Sequence, residues 1–121
     1  MSEKSKFPKQ GEIWLVKCDK IKEISKDYRP VLIISNDIRN EFDESVATVT
    51  ITTENLENVE PYEVFINNIP EIGLDHPSKI LCDCPFTFNK ELRLVKKLGV
   101  ANKKIMSQVK IAWQIAFNWE E

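Results

Sequence analysis

From Gly11 to Val100 the apolar residues come in short runs that mostly alternate with polar ones; from Asn102 onward they recur at helical spacing. Alternation is the period of a strand, so the chain predicts several strands followed by one terminal helix. Gly11 opens a strand over Glu12–Cys18, with Ile13 and Leu15 on one face and Trp14 and Val16 on the other. Pro30–Ser35 follows as the central strand. Its unbroken apolar run, Val31–Ile34, reads as buried on both faces, and Ser35-Asn36-Asp37 turns the chain after it. Ile38–Glu44 is a connection with one helical turn. Val46–Thr53 alternates cleanly, with Ala47, Val49 and Ile51 on one face and Thr48, Thr50 and Thr52 on the other, where threonine is tolerated at a surface.

Tyr62–Ile66 predicts a fourth strand and Ser78–Cys84 a fifth that stops at Pro85, with Phe86–Asn89 as a turn. Lys90–Arg93 reads as a short helix and Leu94–Val100 as a sixth strand. Asn102 is placed to cap a helix that runs to about Asn118 through Ile105, Val109, Ala112, Trp113, Ala116 and Phe117. Met106, Ile111 and Ile115 widen that apolar stripe beyond what one sheet contact needs, which points to a subunit interface. Lys17–Asp27 is too charged for a core element and reads as a mobile loop or a solvated linker; composition does not separate the two. Glu54–Glu60 and Asn67–Pro77 are the other loops. Mostly antiparallel strands with one terminal helix make an α+β domain, a small curled sheet or half-open barrel.

Composition narrows the picture. The 121 residues fit one domain, 1–121, with residues 1–9 as a flexible N-terminal tail. A formal net charge of −2 argues against a general nucleic-acid binder but leaves room for a local basic groove. No apolar stretch approaches the ~20 residues of a membrane span, and the lysine-rich start lacks a signal-peptide core. The expected compartment is the cytoplasm. Three cysteines, Cys18, Cys82 and Cys84, are an odd set for disulfides, and the Cys-Asp-Cys spacing fits neither a redox pair nor a zinc knuckle. They read as buried thiols. One histidine, His76, cannot serve as both acid and base of a two-histidine nuclease. No metal site and no cofactor are expected.

Two positions carry candidate chemistry. Arg29 stands at the mouth of the central strand, beside Pro30. Its planar, permanently charged fork suits a phosphate, and an ordinary surface ion pair is the alternative. Thr52 or Thr53, ending the third strand, can offer a hydroxyl to a phosphate oxygen.

Gly11-Glu12-Ile13-Trp14, then Arg29-Pro30-Val31-Leu32-Ile33-Ile34-Ser35-Asn36-Asp37, Ile51-Thr52, Ser78-Lys79-Ile80-Leu81-Cys82-Asp83 and a terminal helix together resemble the MazF/PemK/Kid toxin family, over roughly Gly11 to Phe117. The resemblance implies an SH3-like antiparallel barrel with a C-terminal helix, usually a homodimer. It implies a metal-independent, sequence-selective endoribonuclease of a toxin–antitoxin pair, with Arg29 and Thr52 catalytic. It also implies a groove for single-stranded RNA lined by Lys17, Ser25, Lys26, Thr53, Asp83 and Thr87. The expected regulator is an antitoxin with an acidic, disordered tail. The chain departs from the family where Glu23-Ile24-Ser25-Lys26 stands for Gly-Ser-Glu-Gln, where Asp83-Cys84 stands for an acidic-Gln pair, and where Phe86 stands for a basic residue. Two alternatives are a catalytically degenerate member and a CcdB-like binding toxin that acts on DNA gyrase through a C-terminal tryptophan. Against the second, Trp119 reads as packing the helix end onto the barrel.

Overall fold

The computed structural model describes residues 7–119. Six strands form one antiparallel sheet: β1 (Glu12–Lys17), β2 (Tyr28–Ile33), β3 (Ser45–Thr52), β4 (Glu63–Ile66), β5 (Ser78–Asn89) and β6 (Leu94–Val100). Their order across the sheet is β4-β5-β3-β2-β1-β6. Helices α1 (Asp37–Phe42) and α2 (Lys90–Arg93) sit on connections, and α3 (Lys103–Ala116) follows the last strand. The expected α+β class with a C-terminal helix is therefore what the chain forms. The sheet curls without closing. Among the described residues no ladder joins β4 to β6; the 3-10 turn Pro70–Ile72 packs against β6 instead.

The sheet is apolar on both faces, which explains the unbroken run in β2. Leu32 packs with Ile13, Val49, Ile51 and Ile80 in a core that α3 covers through Val109 and Ala112. Val31 packs on the other side with Val16, Cys18, Ile24 and Phe88. The threonine face of β3 is consequently not a surface. Thr48 and Thr50 are buried, and Thr48 Oγ1 donates to Phe86 O at 2.9 Å. Asn102 caps α3 as expected, accepting from Ile105 N at 2.8 Å, a bond that typically stabilises a helix start by about 1 kcal/mol.

Other expectations also need correction. The fifth strand does not end at Pro85. It continues to Asn89 through an irregularity, where Val49 pairs with Pro85 and the next β3 residue, Thr50, with Leu81. Cys82, Asp83 and Cys84 lie between without partners on β3, Cys82 still buried in the core, and a bulge is where a strand accepts a proline. The Lys17–Asp27 segment is tied down rather than loose. Cys18 and Ile24 are buried beneath it, Cys18 N donates to Asp27 O at 2.6 Å, and Arg93 Nη1 reaches the Lys17 and Asp19 carbonyls, both at 3.0 Å. Of the expected tail, residues 1–6 lie outside the described residues, while Pro8 is buried and Lys9 N donates to Glu12 Oε1 at 3.0 Å. Trp119 does not pack the helix end onto the sheet: it is 92 % exposed.

Candidate active site

The site begins with what Pro30 cannot do. Ile34 N donates to Ala47 O at 2.9 Å, and β2 pairs with β3 through Ile33–Thr48, Leu32–Val49 and Val31–Thr50. Hydrogen-bonded pairs alternate along an antiparallel ladder, so the next two such positions are Leu32–Val49 and Pro30–Ile51. Proline has no N–H. The Ile51 carbonyl thus loses its ladder donor, and Arg29 Nη2 takes the place at 3.0 Å. This bond fixes the guanidinium beside Thr52 and uses one of five N–H donors. Among the described residues Arg29 belongs to no salt bridge.

Thr52 ends β3 half-buried, on the same sheet face as Arg29, and its Oγ1 accepts from Glu54 N at 3.1 Å. Thr53 is exposed on the turn that follows. Across β5 the partner of Thr52 is Lys79, a buried lysine whose Nζ lies 2.9 Å from Glu63 Oε1. Burial raises the Glu63 pKa, but the Glu60 amide and the Lys79 ammonium outweigh it and hold the carboxyl below its ordinary range.

The bulge brings Asp83 and Cys84 to the same rim. Burial pushes the Cys84 thiol up and Asp83 adds to it, while the Arg29 charge opposes both. Burial likewise raises Cys18, against Arg29 and Arg93. Cys82, buried and facing Asp83 and Glu63, is pushed up to about 12. All three stay protonated at neutral pH, so none is a ready nucleophile. Cys84 is half-buried rather than buried, because the bulge lifts it out of the strand. Among the described residues no three His, Cys, Asp or Glu side chains gather as a metal site.

The remaining expected residues scatter around this centre. Ser25 and Lys26 are exposed on the loop that leads into Tyr28 and Arg29. Lys17 pairs with Tyr28, one position from the Val16–Arg29 pair, so its side chain leaves the opposite face from Arg29. Thr87 pairs with Ala47 and by alternation lies on the other face from Phe86 and Phe88. The fold thus sets Arg29 beside Thr52, with Thr53 next along the chain and Cys84, the neighbour of Asp83, within reach of the Arg29 charge; Lys17 and Thr87 are directed elsewhere. Lys79 and Glu63 were not singled out from the sequence; the signal was a lysine inside an apolar strand.

No curated protein sequence matches the chain. An endoribonuclease in complex with its cognate antitoxin from a mycobacterial species superposes with a TM-score of 0.76 at 21% identity, covering 94% of this chain and 98% of the other. The Mycobacterium tuberculosis toxin MazF-mt6 gives 0.74 at 23% identity, over 91% and 99%. A MazE–MazF complex from Deinococcus radiodurans gives 0.69 at 16% identity, over 94% and 98%. At these identities the likeness establishes the fold. The model of the PemK-like, MazF-like toxins of type II toxin–antitoxin systems matches residues 9–117, nearly the whole length, and the chain belongs to that family.

Proposed function

We propose that the chain is the toxin of a toxin–antitoxin pair and acts in the cytoplasm as a metal-independent, sequence-selective endoribonuclease on single-stranded RNA. The observation that carries this reading is the bond from Arg29 to the Ile51 carbonyl, which holds a permanent positive charge beside the Thr52 hydroxyl at an exposed rim. RNA contains its own nucleophile. The 2′-oxygen attacks the adjacent phosphorus, the bond to the 5′-oxygen breaks, and a 2′,3′-cyclic phosphate and a 5′-hydroxyl result. The protein's part is to orient that attack and to stabilise charge on the phosphorane oxygens. Arg29 supplies charge and donors, and Thr52 a hydroxyl to the same phosphate. Arg29 is a permanently charged donor and acts as electrostatic stabiliser, while water takes up the 2′-hydroxyl proton and delivers one to the departing 5′-oxygen. Thr53, Asp83, Ser25 and Lys26 line the approach.

Ile111, Trp113 and Ile115 on α3 are large and substantially exposed, which supports pairing of two chains into a homodimer. Similar structures include toxins held by an antitoxin. An acidic, disordered antitoxin tail fits a groove that contains Arg29 and Lys26, since it displaces RNA from the same charges.

Incubation of the pure protein with long RNA in excess chelator tests the activity. Discrete fragments are expected; intact RNA, with its hairpins melted, would remove the ribonuclease reading. The second reading, a binding toxin that acts on DNA gyrase, has one observation behind it, the exposed Trp119. Gyrase inhibition without RNA cleavage would favour it, or, with neither, a degenerate member. Pro30 offers a finer test. Pro30→Ala restores a ladder N–H for Ile51 O, which releases Arg29. Cleavage should slow roughly tenfold with the fold intact, read in single-turnover assays; an unchanged rate would detach Arg29 placement from Pro30.

A further inference from the structure

A charged side chain is buried directly behind Thr52. Lys79 pairs with Thr52 across β5 and is 3 % exposed. An ammonium has three donors and no acceptor. Lys79 Nζ has three acceptors in reach: Asn58 O at 2.8 Å, Glu63 Oε1 at 2.9 Å and Asn55 O at 3.0 Å. The loop is tied again through Glu63, whose Oε1 accepts from Glu60 N at 3.0 Å and whose N–H donates to Glu60 O at 2.9 Å. Asn58 N closes onto Asn55 O at 3.3 Å, with Asn55 at φ 57°, a left-handed conformation that asparagine tolerates. Lys79 therefore holds both ends of the Asn55–Asn58 turn that follows Thr52, and its ion-pair partner Glu63 holds the next turn at Glu60.

Stability alone does not account for this arrangement. Two buried charges carry a desolvation cost, and an apolar pair of similar volume is often at least as stable. An apolar pair cannot fix the direction of two loop carbonyls. With its three donors engaged, Lys79 has none left for a phosphate.

We propose that Lys79 is a positioning residue for the cleavage site: it draws the loop after β3 onto its ammonium and so sets the backbone that carries Thr52 and Thr53, without touching RNA. The inference rests on the ribonuclease reading above.

The test compares wild type, Lys79→Arg and the double variant Lys79→Met/Glu63→Gln on one long RNA in chelator. The arginine keeps the charge, but its planar fork does not converge on three acceptors. The double variant leaves no charge buried alone. Both are expected to keep KM within about threefold and to lose kcat by roughly tenfold to a hundredfold, as a small misplacement of reacting groups does. The Glu54 and Asn58 amides, bonded to Thr52 Oγ1 and Asn55 O, should exchange with solvent about tenfold faster than in wild type. Wild-type kcat in a folded variant overturns the proposal, as does a loss carried by KM alone, which would make Lys79 an RNA contact. Should the double variant not fold, Lys79→Arg decides. Should wild type not cleave RNA, the ribonuclease reading falls by itself, and amide exchange in the variants decides whether Lys79 holds the loop: unchanged protection overturns it.

Discussion

Arg29→Ala should lower the rate of RNA cleavage by about 100-fold or more and leave the fold in place. The activity loss follows from charge. An arginine fixed by a backbone carbonyl needs no reorganisation when negative charge grows on the phosphorane, and alanine leaves only the Thr52 hydroxyl and solvent. The small structural effect follows from position. Among the described residues the Arg29 side chain makes one hydrogen bond, worth about 1 kcal/mol net, and water can reach the Ile51 carbonyl once the guanidinium is gone. A loss on that scale moves the melting temperature by roughly 4 °C. Thr52→Ala should also lose most activity, while Thr52→Ser, which keeps the hydroxyl that holds Glu54 N, should retain it. Near-normal turnover in Arg29→Ala, measured as kcat on a single RNA, would show that the site lies elsewhere; a large fall in melting temperature would assign Arg29 a structural role.

Gly99→Ala should do the opposite and damage the fold itself. The sheet is left open between β4 and β6, and the Pro70–Ile72 turn with Gly73 lies against β6 at that point. The approach is backbone to backbone. A Cβ built at Gly99 falls well inside contact distance of the Ile72 and Glu71 carbonyls, and one at Gly73 meets the Leu98 carbonyl. No flexible side chain is there to yield, so the turn itself must lift off β6. Gly73 also stands at φ 76°, where an L side chain is strained. Overpacking of this kind costs about 3 kcal/mol, roughly a 10 °C lower melting temperature, out of a stability that is ~5–15 kcal/mol for most domains. Thermal unfolding reads it, and the remaining folded protein should cleave RNA normally. An unchanged melting temperature in both Gly99→Ala and Gly73→Ala would show that the turn does not seal the sheet.

The sequence made strands and the terminal helix legible because their patterns are local. Alternation in β1 and β3, the apolar run of β2 and the Asn102 cap each lie within one element and survive packing unchanged. Errors arose where partners decide. Pro85 looks like a strand end until β3 is beside it and the bulge at Cys82–Cys84 takes up the extra residues. Thr48 and Thr50 look exposed until the second core covers their face. Arg29-Pro30 drew attention to an arginine at a strand mouth, and the partner that holds its side chain is a main-chain carbonyl that no side-chain pattern reveals. Lys79 was hidden for a similar reason: two of its three acceptors are loop carbonyls, and Glu63 meets it only through the β4–β5 register.

The decisive measurement is the chemistry of the new ends on a defined RNA cut in chelator, read by enzymatic end-labelling and mass spectrometry. Attack by the substrate's own 2′-hydroxyl beside Arg29 and Thr52 predicts a 2′,3′-cyclic phosphate on one fragment and a 5′-hydroxyl on the other; 5′-phosphate and 3′-hydroxyl ends would mean that water is the nucleophile and would contradict it.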